Sequence, residues 1–168
     1  MPPSRVRAFH VLIQNLAASV PASWLLSRIL RYTDRLTLAL TGGRKTLTGM
    51  LAGLPVIQVT TTGAHSGKLR TSLLVAIDDP ASPGRLALVA TNFGQHHFPS
   101  WYFNLKKDPR AVCTLDGQAT ACLAHEAAGD EYDRFSQLAN GVYRGYASYR
   151  QRAGRRIPIM VLERETRP

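Results

Sequence analysis

Apolar residues near the start of the chain recur at helical spacing. Val6, Phe9, Ile13, Leu16, Ala17 and Val20, with Arg5, Arg7 and Gln14 set off from them, predict a helix over 4–20. Pro21 ends it and Ser23 can cap the next, which runs from about Trp24 to Leu40 with Leu25, Ile29, Leu36 and Leu40 on its apolar side. Thr41-Gly42-Gly43-Arg44-Lys45 breaks the pattern. From Val56 onward the repeat shortens to strands. Val56–Thr62 and Arg70–Ile77 form an opening pair, Asp78 to Gly84 is a loop, and Arg85–Thr91 is a third strand. Ala111–Leu115 and Gln118–His125 make a hairpin about Asp116-Gly117, and Ile157–Leu162 closes the chain. Two helical stretches interrupt the strands. Pro99 fits the first turn of one, with Trp101, Tyr102 and Leu105 on its apolar side. The other, over 129–140, carries Tyr132, Phe135, Leu138 and Ala139; Gly141 and Gly145 break it before a piece holding Tyr146 and Tyr149.

Six short strands with mostly local connections predict a mainly β (α+β) fold: an antiparallel sheet curled into a small barrel, its openings covered by helices. Strands and helices do not alternate, which argues against a doubly wound sheet. The chain divides into an N-terminal helical arm, 1–45, and a barrel domain, 46–168.

The 168 residues carry a formal net charge of +10, a field that favours anionic partners such as phosphorylated cofactors, acidic lipid or nucleic acid. The basic residues are scattered rather than interleaved with aromatics along a strand, which argues against nucleic acid. Arg28, Arg31 and Arg35 form a basic stripe on the second helix. Such a stripe is more often a solvated face than a dock for acidic headgroups. The N-terminus lacks the apolar core of a signal peptide, and no uncharged apolar run approaches the roughly 18 residues that span a bilayer. The chain therefore reads as cytoplasmic, with peripheral contact at the inner membrane face through the arm as the further reading. Cys113 and Cys122 fall on diagonal, non-paired positions of the predicted hairpin, poor geometry for a disulfide, and read as reduced core thiols.

The richest chemistry lies in the turn after the first strand, Thr60-Thr61-Thr62-Gly63-Ala64-His65-Ser66-Gly67-Lys68-Leu69-Arg70-Thr71. Two glycines, hydroxyls and cations packed together can present N–H groups and positive charge to an anion, His65 among them; a plain hairpin uses the same glycines for geometry alone. None of the five histidines lies at metal-ligand spacing, so no metal site is expected. GxSxG, GxGxxG and GxxxxGK[ST] are absent. Tyr143, Tyr146 and Tyr149 recur every three residues, a spacing that can set three phenols along one side of a pocket for a planar ligand. Core packing is the alternative, but each phenol would then need a polar partner.

Together the turn, the segment Pro99-Ser100-Trp101-Tyr102-Phe103-Asn104-Leu105, the tyrosine repeat with Gly145, and the ending Arg156-Ile157-Pro158-Ile159-Met160-Val161 resemble the deazaflavin-dependent nitroreductase family. These are split β-barrel, FMN-binding-like oxidoreductases that use reduced coenzyme F420. The likeness spans about 54–163. It implies that Gly63, Ser66, Gly67 and Arg70 hold the cofactor's phosphate and the start of its tail, helped by His65 and Lys68. It places Thr91 and Asn92 beside the deazaflavin ring, and Pro99, Ser100 and Trp101 along the ring and its side-chain groove. Tyr143, Tyr146 and Tyr149 would face the acceptor, with Tyr146 as proton donor. The activity implied is hydride transfer to a small planar electrophile: a quinone, enone or nitroaromatic.

The chain departs from the family pattern where an Arg-Lys pair is usual and Ala64 and His65 stand, and where Asn92 replaces a common Lys. Charged hydrogen bonds contribute about 1.5–3 kcal/mol each, so two losses weigh on affinity. The alternatives are FMN as the cofactor, or a binding protein of the same fold that holds a flavin or amphiphile without turnover.

Overall fold

A computed structural model describes residues 54–143 and 145–165. Six antiparallel strands close into a barrel: β1 (Val56–Thr62), β2 (Leu69–Asp78), β3 (Arg85–Val89), β4 (Arg110–Leu115), β5 (Gln118–Glu126) and β6 (Ile159–Arg164). Around the barrel the order is β1-β2-β3-β6-β5-β4, with β1 pairing β4 to complete the circle. The helices are α1 (Ser100–Lys107), α2 (Gly129–Val142) and α3 (Gly145–Ala153).

The side-chain pattern of each strand follows from what covers its two faces. β1 and β4 are buried only on the inside, so burial alternates: Ile57, Val59 and Thr61 point in, as do Ala111 and Cys113. The neighbouring strands β2, β3 and β6 are covered on both faces. Ala76, Leu88, Met160 and Leu162 fill the barrel with Trp101 and Leu105 of α1. Their chain neighbours Ile77, Ala87 and Val161 point outward, into a second core formed with Phe135 and Ala139 of α2 and Tyr146 and Tyr149 of α3. Unbroken apolar runs such as Ile159-Met160-Val161-Leu162 thus serve two cores at once.

The β4–β5 hairpin has the predicted register, Ala111 opposite Cys122 and Cys113 opposite Thr120, and Asp116 and Gly117 turn it at φ +50° and +81°. Both cysteines are free and buried in the barrel. The hydrogen bond between them and their burial push the Cys113 thiol well above its ordinary range.

Most boundaries fall within a residue or two of the sequence reading, and four differences have an evident physical reason. α2 continues through Gly141 to Val142. A glycine costs a helix only about 1 kcal/mol, less than the docking of Phe135 and Ala139 returns. β6 begins at Ile159, because Pro158 has no N–H to give the ladder, though its carbonyl accepts from the Ala90 amide at 2.9 Å. β3 stops at Val89, where the Thr91 amide turns back onto the Val89 carbonyl at 2.8 Å. Pro99 caps α1 from outside the first turn, with extended backbone at φ −68°, ψ 149°. The predicted helices of the arm lie outside the described residues.

Candidate functional site

The β1–β2 connection is a tight, exposed turn. The Gly63 amide donates to the Lys68 carbonyl at 2.9 Å, and the Gly67 amide to the Gly63 carbonyl at 2.8 Å. The Lys68 amide donates to Ser66 Oγ at 3.3 Å. A side chain at Gly63 has no room: its Cβ would stand 2.6 Å from Ser66 Oγ and 3.1 Å from the Lys68 carbonyl. His65, Ser66, Gly67, Lys68 and Arg70 are all exposed. None of the cations His65, Lys68 and Arg70 has a hydrogen-bond or ion-pair partner among the described residues. Beside them a groove of about 570 Å³ runs between Thr62, Gly63 and His65 on one flank and Lys107, Arg110 and Leu123 on the other.

Two side chains of α1 hold this turn. Asn104, buried at 5 %, accepts from the Ala64 amide at 2.9 Å and donates to Thr61 Oγ1 at 2.9 Å. Lys107 donates to the Ala64 carbonyl at 2.6 Å. Sequence reasoning quoted Asn104 within a motif and gave it no role. The signal was available: three residues after Trp101, it falls on the buried side of α1. A buried amide there needs partners, and the turn supplies them.

The second group surrounds the segment after β3. Thr91 is buried, and Asn92, Phe93 and Gly94 follow in left-handed conformations with φ of +47°, +58° and +79°. Asn92 Nδ2 donates to the His97 carbonyl at 3.2 Å. The guanidinium of Arg155 gathers the carbonyls of the segment: Ala90 at 3.3 Å, Gln95 at 3.2 Å, His96 at 2.8 Å and His97 at 3.1 Å. It also lies 4.1 Å over the Phe98 ring, which packs on Tyr102 of α1. No sequence signal pointed to Arg155, because all four of these carbonyls lie 58–65 residues earlier in the chain. Of the three residues expected along a cofactor groove at the start of α1, Ser100 is exposed, Pro99 half-buried and Trp101 enclosed in the barrel core.

The tyrosines form the third group. Tyr143, Tyr146 and Tyr149 are 6 %, 7 % and 5 % exposed and belong to the outer core. For two of the three phenols the expected need for a polar partner is met within the repeat itself, since the Tyr143 and Tyr149 hydroxyls are 3.0 Å apart. Tyr146 stacks edge-on against Tyr143 at 5.2 Å. The chain can fold over this cluster because residue 145 is glycine; a Cβ there would stand 2.3 Å from the Tyr143 ring. Burial pushes all three phenols above their ordinary range, so they stay protonated near neutrality. Tyr149 also meets Phe93 edge-on at 6.5 Å. A band of contacts therefore runs from the glycine turn through α1 and the Arg155-held segment to the tyrosines.

His96 and His97 are exposed, and among the described residues no three His, Cys, Asp or Glu side chains gather as metal ligands. No helix among the described residues is long and apolar enough to cross a membrane. The expected membrane contact rests on residues 1–53, outside the described part, and nothing in the relatives supports it.

A closed six-stranded antiparallel barrel, helices over its faces and a cation-rich glycine turn define a split barrel of the FMN-binding-like type. The family model for F420H2-dependent quinone reductases matches residues 31–164, and the chain belongs to that family. An F420H2-dependent quinone reductase of Mycobacterium tuberculosis (strain ATCC 25618 / H37Rv) is 32 % identical over 114 residues, covering 66 % of this chain and 74 % of its own. A solved structure of an F420-H2 dependent reductase is 34 % identical with a TM-score of 0.59, covering 65 % of this chain and 94 % of its own. A second structure, described as a domain-swapped dimer, is 31 % identical with a TM-score of 0.61, covering 86 % and 100 %. The resemblance to deazaflavin-dependent nitroreductases thus narrows to the quinone reductases.

Proposed function

We propose that this chain binds reduced coenzyme F420 at the glycine turn and catalyses its oxidation by a quinone. One observation supports this most: in a chain of this family, His65, Lys68 and Arg70 stand exposed, with no side-chain partner among the described residues, around a turn with little room for a side chain at Gly63. Cations left unpaired beside free backbone suit a phosphorylated, acidic ligand. Ser66 and Gly67 complete the cradle, and Asn104 and Lys107 fix its shape.

When bound, reduced F420 supplies the hydride that the quinone accepts. Arg70 and Lys68 would bind the phosphate, with His65 beside them in the exposed turn. Thr91 and Asn92 would hold the ring, and Pro99 and Ser100 would line the adjoining groove, with Trp101 supporting them from the barrel core. The Tyr143–Tyr149 hydroxyl pair, kept protonated by burial, orients the acceptor oxygen and donates a proton to it, with Tyr146 as the ring behind the pair. Nitroaromatics and enones are electrophiles of the same planar class.

The test is anaerobic mixing of purified protein with F420H2 and a quinone, following loss of the reduced cofactor. Oxidation that depends on both protein and quinone is expected. Binding without turnover contradicts the catalytic reading, and turnover with reduced FMN alone replaces the cofactor.

A further inference from the structure

Arg155 is always charged, yet no carboxylate among the described residues pairs with it. Every one of its hydrogen-bond acceptors is a backbone carbonyl. Nε donates to His96 at 2.8 Å, and Nη2 is shared among Ala90, Gln95 and His97 at 3.3, 3.2 and 3.1 Å. Nη1 donates to the Arg156 carbonyl at 3.3 Å. The Phe98 ring covers one face of the guanidinium at 4.1 Å. Asn92 Nδ2 adds a second donor to the His97 carbonyl.

A trans peptide directs its N–H opposite to its C=O. With the carbonyls of Gln95, His96 and His97 all turned to one guanidinium, the amides of His96, His97 and Phe98 are turned away from it. None of these three amides donates to an acceptor among the described residues. The amides just before them differ: those of Thr91, Gly94 and Gln95 bond carbonyls at 2.8, 2.9 and 3.1 Å. His96 and His97 are exposed and Phe98 is half-buried. The charge behind the three peptides polarises each of them and strengthens its N–H as a donor.

We propose that Arg155 is a positioning residue of the cofactor site: it presents the amides of His96, His97 and Phe98 to the carbonyl oxygens and ring nitrogens of the deazaflavin. This rests on the cofactor reading given above, in which Thr91 and Asn92, at the start of the same segment, hold the ring. Neutral donors then meet the neutral, acceptor-rich end of the ligand, while the cations of the glycine turn meet its anionic end.

The test follows amide exchange by NMR in the protein and in its Arg155→Ala and Arg155→Lys variants, with and without oxidised F420. Affinity is read in parallel by fluorescence titration. In the protein, F420 should slow exchange at His96, His97 and Phe98 about tenfold or more. Arg155→Ala should lose that protection and bind F420 about tenfold more weakly. Arg155→Lys keeps the charge but not the planar fork, so it should show the same losses in smaller degree, with the salt dependence set by the turn unchanged. F420 binding in the protein without protection of these three amides overturns the proposal and leaves the cofactor reading standing. So does a loss of thermal stability in the variants with protection and affinity intact. Absence of F420 binding by the protein overturns the cofactor reading, and this inference with it.

Discussion

The glycine turn and the tyrosine cluster both concentrate polar groups, yet the fold treats them in opposite ways. At the turn, His65, Lys68 and Arg70 are exposed with no side-chain partner among the described residues, while the backbone beneath is tied down by Asn104. In the cluster, three phenols are withdrawn into a core, and two of them satisfy each other. The turn is a stiff frame carrying unspent charge. The cluster is closed and neutral, with contact to the surface through Phe93 and the left-handed segment. Electrostatic capture at the first and apolar recognition at the second are the division of labour that a charged cofactor and a planar quinone require.

The contrast can be broken at points that affect one region more than the other. Gly145→Ala should be the most damaging, because its Cβ must displace the Tyr143 ring; a loss of about 3 kcal/mol in unfolding free energy is expected by denaturant titration. Asn104→Ala should cost about 2 kcal/mol, since it leaves the part-buried Ala64 amide unpaired and takes the amide donor from the buried Thr61 hydroxyl. Unlike Gly145→Ala, it should also weaken F420 binding, measured by fluorescence titration. Tyr143→Phe removes one hydrogen bond and should lower stability by about 1 kcal/mol. Its larger consequence should be a lower kcat with cofactor affinity intact. The mildest prediction concerns pH. Burial raises the three phenols above their ordinary 10.0, so the folded state holds those protons more tightly than the unfolded state. Their contribution to stability is complete below pH 10 and falls as pH rises beyond it. Absorbance at alkaline pH should show these tyrosines ionising only as the protein unfolds.

The barrel was legible because alternation and turn chemistry are local properties. Val56–Thr62 and the Asp116-Gly117 hairpin could be read from a few consecutive residues; the bounds of the first and the register of the second agree with the structure. Boundaries went astray where tertiary packing overrode a local preference, as at Gly141, or where proline removed a ladder donor, as at Pro158. The glycine turn was legible as a motif, but its support was not: Asn104 reaches it from 40 residues away, and Arg155 binds carbonyls of a segment it does not adjoin. The tyrosine repeat shows a subtler failure. The argument that three phenols would lack partners in a core overlooked that two of them can pair with each other.

The central claim is that the unpaired cations of the glycine turn hold the anionic part of F420. It is tested most directly by titrating F420 into the protein and into a Lys68→Ala/Arg70→Ala double variant at low and high salt. Both side chains are exposed and have no partner among the described residues, so the thermal midpoint should not move. Affinity at low salt should fall about a hundredfold or more, as expected for two charged hydrogen bonds, and the salt dependence should flatten. Equal affinity in the two proteins, with the same response to salt, would contradict the account.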